Sequence, residues 1–153
     1  MTTQEIIKIY GQPGDISNFK QVLLPFPLRI AWDLKSKVTK ITIHKLEEAH
    51  IQAIFTELMQ VYGYDKITKL GIDIFGGCYN FRKMRGGTDY SRHSWAIAVD
   101  LWPEMNQLKM KADEALFAKP EYKPMISIFE KHGWHSLGKE ENRAWMHFQA
   151  VPV

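Results

Sequence analysis

Two short histidine-containing segments, far apart in the sequence, constrain this chain more than any other feature. The first is SRHSWAIAVDL (Ser91–Leu101), and the second is MHFQ (Met146–Gln149). They supply imidazole nitrogens from His93 and His147 and a carboxylate from Asp100. Two imidazoles and one carboxylate are typical of a zinc ion that keeps one coordination position open, as in hydrolytic rather than structural sites.

The spacing between His93 and Asp100 requires a bend in the chain. On a straight strand the two side chains would point to opposite faces and lie roughly 23 Å apart, and on one helix they would lie about 10 Å apart. Apolar and small residues alternate over 95–101, which predicts a strand that ends near Asp100 and follows a turn carrying His93. The same alternation around His147 predicts a second strand that bears a ligand.

The combined motif resembles that of a known enzyme family. The S-x-H motif at His93, followed by Asp100 and by His147 in HFQ, resembles the zinc D-Ala-D-Ala carboxypeptidases. These are peptidoglycan peptidases, and they include phage L-alanyl-D-glutamate endolysins. The resemblance extends over about residues 38–153. It implies one Zn²⁺ ion held by these three side chains and a peptidoglycan stem peptide as substrate, with the cleaved bond either L-Ala–D-Glu or D-Ala–D-Ala.

Two positions depart from the family pattern, which is S-x-H-x-x-G-x-A-x-D followed by D/E-x-x-H. Ala96 stands where the family usually has glycine, a mild change if the backbone there has a negative φ. Ala144 stands three residues before His147, where the family carries its catalytic Asp or Glu. Loss of a general base typically reduces the rate by about 10²- to 10⁴-fold. The resemblance therefore implies that this chain hydrolyses poorly.

Two arginines and a serine near the first motif are candidates for substrate binding. A guanidinium from Arg82 or Arg85 could hold a substrate carboxylate or an oxyanion in a bidentate contact, and the resemblance favours Arg82. Ser91 could hydrogen-bond to a metal ligand or to substrate, and a role in stabilising the turn is equally open.

Three functional hypotheses follow from the alanine at position 144. The first is an endolysin-type peptidase in a base-deleted form. The second is an active enzyme in which His135, Glu140 or Glu141 substitutes as the base, which requires a folded-back loop. The third is a non-catalytic, zinc-dependent module that binds cell-wall peptides.

Composition narrows the class of protein. With 153 residues, 45% of them hydrophobic, the chain is long enough for one domain spanning 1–153. A net charge of +3, spread along the chain, favours an anionic polymer such as the cell wall and is too small to indicate nucleic acid. The single cysteine, Cys78, excludes an intrachain disulfide and is expected to be a buried thiol.

The sequence also leads to expectations about location and assembly. Met1–Tyr10 lacks an apolar leader, and no run approaches the ~20 apolar residues that span a bilayer. We therefore expect a monomer without membrane insertion that is made and kept in the cytoplasm, and that reaches the wall only when released, as in phage lysis.

Periodicity predicts a small α+β domain in which an antiparallel sheet carries the zinc site and helices flank it. Strands are predicted at 38–43 and 72–81, and helices at 46–62 and from Pro124 to His132. Weaker patterns predict a polar lead over 1–19, an extended surface segment over 22–30 that is interrupted by Pro25 and Pro27, and weak helicity over 108–117.

Overall fold

A six-stranded, mostly antiparallel sheet carries both histidine segments in this computed structural model, which describes residues 1–153. Its strands are β1 (Phe19–Ile30), β2 (Asp33–His44), β3 (Ile74–Gly77), β4 (Ala98–Leu101), β5 (His135–Ser136) and β6 (His147–Gln149). Their order across the sheet is β2-β1-β3-β4-β6-β5, and only β1 and β3 are parallel. The predicted α+β class is confirmed.

Five helices accompany the sheet: α1 (Thr3–Tyr10), α2 (Glu48–Tyr62), α3 (Tyr64–Leu70), α4 (Lys123–Lys131) and α5 (Leu137–Glu141). The apolar stripe of α2 is fully buried, as its helical spacing predicts, and the helix ends at Gly63 with φ 75°. Pro124 lies in the first turn of α4, where its missing N–H costs no hydrogen bond. None of the helices is both long and apolar enough to cross a bilayer.

The main hydrophobic core fixes which way the ligand-bearing strands face. Phe148 of β6 is fully buried and stacks on Phe129 of α4, with ring centroids 4.0 Å apart. Burying an aromatic side chain of this size contributes about 1.5–3 kcal/mol to the stability of the folded state. Because side chains alternate along a strand, anchoring Phe148 in the core turns His147 and Gln149 to the opposite face.

The prediction that residues 22–30 form a surface segment outside the sheet interior is wrong. These residues belong to β1, which lies between β2 and β3. The register with β2 shifts between Leu23 and Leu28, so Pro25 and Pro27 lie in a bulge. A proline in a bulge removes no ladder hydrogen bond, and for this reason the strand tolerates two of them.

Three other predictions of secondary structure need correction. Residues 1–19 are predicted only as a polar lead, but they contain α1, which begins with a capping box formed by Thr2 and Glu5. Residues 108–117 form turns and the start of a 3₁₀ helix (Leu116–Ala118) rather than an α-helix. The strand predicted over 72–81 is limited to β3, because Gly77 adopts φ 133° and turns the chain out of the sheet.

Candidate metal centre

Asp100 and His147 lie directly opposite each other on two neighbouring strands. In the β4–β6 pair, Asp100 is the register partner of His147, so the two side chains project from the same face of the sheet. Asp100 Oδ1 lies 3.0 Å from His147 Nδ1. Both side chains keep partial access to solvent, with 18% and 13% exposure. The site is therefore open on the side where a substrate could approach.

A short turn brings His93 to the same carboxylate. His93 lies in the 3₁₀ helix Arg92–Trp95, whose first N–H groups are capped by the Ser91 hydroxyl, which accepts from His93 N at 3.3 Å. His93 Nε2 lies 3.2 Å from Asp100 Oδ2. The bend that the sequence requires between His93 and Asp100 is present, and the structure gives Ser91 the turn-stabilising contact.

The buried Nε2 of His93 is the observation that most favours a metal-binding role for this group of residues. His93 is only 4% exposed, and its Nδ1 lies 3.0 Å from the carbonyl oxygen of Cys78, so Nδ1 carries the proton. Nε2 has no hydrogen-bond partner, since the nearby Asp100 oxygen lies outside hydrogen-bond geometry. A buried nitrogen lone pair without a partner is unfavourable unless something binds it.

The donor set fits zinc. One donor atom each from His93, Asp100 and His147 lie within 4.8 Å of one another. Two imidazole nitrogens and a carboxylate oxygen, partly open to solvent, are the donors and access that catalytic zinc sites use. The backbone carbonyl that accepts from His93 Nδ1 is a common second partner of metal-binding histidines.

Electrostatics within the group favour a proton or a cation between the imidazoles and the carboxylate. Burial alone would lower the pKa of His93, but the Asp100 carboxylate raises it above its ordinary value. Burial opposes ionisation of Asp100, but the positive charge of His93 and the hydrogen bond with His147 lower its pKa well below its usual range. A metal ion would have to displace this proton, so its affinity should fall at acidic pH.

The N-terminal segment supports the turn that carries His93, a contribution that sequence reasoning missed. Trp95 is fully buried against α1, and its Nε1–H donates to the carbonyl of Gly11 at 2.9 Å. The N–H of Gly14 donates to the carbonyl of Ser94 at 2.8 Å. The capping box of α1 could have indicated the helix, but its packing on Trp95 has no local signal in the sequence.

The two alanine positions that depart from the family pattern both adopt left-handed backbone. Ala96 has φ 55°, so the condition under which alanine would be a mild change is not met. Ala144 has φ 46° and is buried. The N–H of His147 donates to the carbonyl of Ala144 at 2.9 Å, which closes a β-turn between them. The chain therefore bends between 144 and 147, as a base at 144 would require.

The two arginine candidates lie in different surroundings. Arg82 is half-buried at the base of a loop that returns to Ser91, and its positive charge acts on the pKa of His93. Its backbone N–H donates to the Ser94 hydroxyl at 3.2 Å. Arg85 lies on the exposed part of the same loop. Of the two arginines, Arg82 is the one whose charge affects a ligand residue, and its guanidinium donates to the carbonyl of Lys83 at 3.2 Å.

None of the candidate substitute bases belongs to the ligand cluster. His135 is the register partner of Gln149 on β6, which puts it on the same face as His147, and it pairs with Glu140 at 2.9 Å. Glu141 pairs with Arg143. Burial raises the pKa of Cys78 to about 11, so its thiol remains protonated at neutral pH and is a poor ligand.

Comparison with known proteins gives a match to a protein family. Residues 85–150 match a family model described as D-alanyl-D-alanine carboxypeptidase. The matched range is shorter than the resemblance over 38–153, but it contains His93, Asp100, His147 and Ala144. No curated protein and no solved structure matches the chain.

Proposed function

We propose that the chain, whose residues 85–150 match a family model described as D-alanyl-D-alanine carboxypeptidase, belongs to that family and is a zinc-dependent protein of peptidoglycan metabolism whose site binds stem peptides. The observation that carries this proposal is the convergence of His93, Asp100 and His147, with the buried Nε2 of His93 left without a partner. The proposed reaction is hydrolysis of a wall peptide bond. Endolysin-type cleavage after release into the wall is the form we favour.

The three ligand side chains have distinct tasks in this proposal. His93 Nε2, His147 Nδ1 and one Asp100 oxygen would hold the ion. Zinc bound in such a site lowers the pKa of water toward ~7 and polarises a peptide carbonyl. Arg82 would bind a carboxylate of the substrate or the oxyanion that develops during hydrolysis.

Ala144 limits the proposed reaction. Hydrolysis also requires a group that accepts a proton from the attacking water and returns it to the departing amine. A methyl group at position 144 cannot do this, and the resemblance assigns that task to the residue there. We therefore propose that this form binds wall peptides and cleaves them slowly or not at all, which makes a non-catalytic binding module the alternative function.

Substitution at position 144 tests the proposal. Ala144→Asp should increase hydrolysis of purified peptidoglycan by about 10²- to 10⁴-fold if general-base catalysis has its usual size. Ala144→Asn is the matched control, because an amide fills the same space and tolerates the left-handed backbone but cannot take the proton. The measurement is release of new amino termini at equal zinc occupancy, and mass spectrometry of the products distinguishes L-Ala–D-Glu from D-Ala–D-Ala cleavage.

Each outcome separates the hypotheses. If the Asp variant is no faster than the Ala and Asn forms, the missing-base account is wrong, and zinc-dependent binding of a stem peptide without turnover then supports the binding module. Should the unmodified protein already hydrolyse peptidoglycan, His135→Ala would test the substitute base, since His135 is the histidine on the ligand face of the sheet outside the cluster.

A further inference from the structure

The tip of the β1–β2 hairpin presents an exposed tryptophan. Ile30 pairs with Asp33, so Ala31 and Trp32 form a two-residue turn. Trp32 is 74% exposed, and Leu34, just beyond the turn, is 50% exposed. Three of the other four tryptophans are buried. An indole held in water at a turn keeps one of the largest apolar side-chain surfaces unburied, and such surfaces often mark a binding site.

The tip is ordered by its own hydrogen bonds. The register shifts between Arg29 and Ile30, so residues 34–36 form a bulge in β2. The Asp33 carboxylate organises this bulge by accepting from Lys35 N at 3.3 Å and from the Ser36 hydroxyl at 2.7 Å. The N–H of Ala31 donates to the carbonyl of Phe75 at 2.9 Å, which fixes the turn to β3. The exposed indole therefore extends from a preformed support.

The charge around the tip is positive. Lys35, Lys37 and Lys40 are exposed on β2, an edge strand, and none of them forms a salt bridge. The Asp33 carboxylate is occupied within the bulge, and Arg29 is neutralised by Asp73. Lysines on an edge strand also protect it from pairing with other chains. Protection of the edge does not explain why Trp32 and Leu34 are exposed, because exposed apolar residues promote the association between chains that the lysines oppose.

We propose that this hairpin tip, formed by Trp32, Leu34, Lys35 and Lys37, binds the saccharide strand of peptidoglycan. The C–H face of a pyranose ring is apolar and packs on the flat face of an indole, while the lysines attract the carboxylates that the wall polymer carries. This inference rests on the proposed function, which supplies peptidoglycan as the substrate. It adds a second site, for sugar, to the one for peptide.

The position of the tip suits a substrate that spans both sites. Ile30 pairs with Phe75, and Phe75 pairs with Leu101, the residue after Asp100. Two strand spacings, roughly 10 Å, therefore separate the base of the tip from the ligand-bearing strand. A short extended peptide covers that distance at about 3.3–3.6 Å per residue.

Binding to purified peptidoglycan, freed of covalently attached polymers, tests the proposal. Trp32→Ala should weaken co-sedimentation affinity about tenfold, while Trp32→Phe, which keeps an aromatic face, should retain most of it. Lys35→Gln combined with Lys37→Gln should weaken binding at low salt and have less effect at high salt. Leu23→Ala is the matched control, because Leu23 is an exposed apolar residue of β1 that lies away from the tip.

A second ligand separates this proposal from the proposed function. A soluble stem peptide without sugar, offered with zinc, should bind the Trp32→Ala and unmodified proteins equally. If Trp32→Ala binds peptidoglycan as tightly as the unmodified protein does, the hairpin proposal is overturned and the metal centre is unaffected. If the unmodified protein ignores the free peptide but still needs Trp32 for peptidoglycan, the proposed peptide site fails and the sugar site stands. A dimer that Trp32→Ala converts to a monomer would overturn the sugar site in favour of a contact between two copies.

Discussion

Gln149 fixes the tautomer of His147 through a hydrogen bond between two residues of the same strand. Its Oε1 lies 2.9 Å from His147 Nε2, and its Nε2 donates to the carbonyl of Val151 at 2.9 Å, which orients the amide. An amide oxygen can only accept, so His147 Nε2 carries the proton. Nδ1 is then the nitrogen available to a metal, and it is the one that faces Asp100.

Gln149→Leu should therefore weaken zinc binding by about 10- to 100-fold, the usual effect of removing the second partner of a metal-binding histidine. Competition with a chromophoric chelator measures the affinity directly. Gln149→Glu keeps an oxygen acceptor and should retain most of the affinity, and Gln21→Leu, on the exposed side of β1, should have no effect. Equal zinc affinity in Gln149→Leu and the unmodified protein would show that His147 needs no support from this amide.

Zinc should stabilise the fold, because the folded chain gathers three donors that the unfolded chain keeps apart. At a free zinc concentration near 100 times Kd, the gain is about 2.7 kcal/mol, which corresponds to a rise in Tm of roughly 5–10 °C for a domain of this size. Thermal unfolding with zinc and with a chelator measures it. His147→Ala should lose the effect, and His50→Ala should keep it. A zinc response that survives in His147→Ala would contradict the ligand assignment.

The ligand cluster could be predicted from the sequence because its determinants are local. Alternation around Asp100 and His147 predicts two strands and the face that each ligand occupies, and the short interval from His93 forces a turn. The partner of His93 Nδ1 could not be predicted in this way. It is the backbone carbonyl of Cys78, and any residue type at that position would offer the same oxygen.

The errors in the predicted fold come from contacts between distant segments. Pro25 and Pro27 argue against a regular strand, but pairing of β1 with both neighbours places them in a bulge that the local sequence does not specify. The bond from Trp95 to Gly11 joins residues 84 positions apart, and it is this contact that gives α1 its place beside the site. Secondary-structure propensity describes single segments, whereas tertiary packing determines the structure of β1 and the position of α1.

The free energy of unfolding should decrease as the pH falls, partly because of His44, which is buried and neutral in the folded protein. Burial lowers the pKa of His44, and its hydrogen bond to the Tyr10 carbonyl, at 2.7 Å, only partly offsets this. Its Nδ1 accepts from Leu46 N, so protonation would break that bond. The unfolded imidazole takes up a proton near pH 6.5, before the folded one does, so the contribution of His44 is complete above that pH and is lost as the pH falls below it.

Urea denaturation at pH 7.5, 6.5 and 5.5, in the presence of a chelator, measures this contribution. His44→Asn should be less stable than the unmodified protein at pH 7.5, but its free energy of unfolding should fall less on acidification, since asparagine does not titrate. Titratable groups that the two proteins share contribute equally to both profiles and cancel in the comparison. Parallel pH profiles for the two proteins would exclude His44 as a source of the pH dependence.

The left-handed backbone at Ala96 leads to a prediction about the turn that carries His93. The N–H of Ala96 donates to the carbonyl of His93 at 3.1 Å, and its carbonyl accepts from His44 N at 2.9 Å, so two hydrogen bonds hold the residue at φ 55°. This conformation costs an L-residue roughly 1–2 kcal/mol and costs glycine little. Ala98, two residues later in β4, is also fully buried but has ordinary strand backbone.

Replacing either alanine by glycine removes one buried methyl group and adds freedom to the unfolded chain, so those two costs are similar at both positions. Only Ala96→Gly also relieves strain, and it should therefore be more stable than Ala98→Gly by about 1–2 kcal/mol. Urea denaturation of the two variants, with zinc and with a chelator, measures the difference. Because the strain lies in the backbone of the turn, the difference in stability between the two variants should persist when the metal is removed. An Ala96→Gly protein that is no more stable than Ala98→Gly would mean that the turn holds alanine without strain.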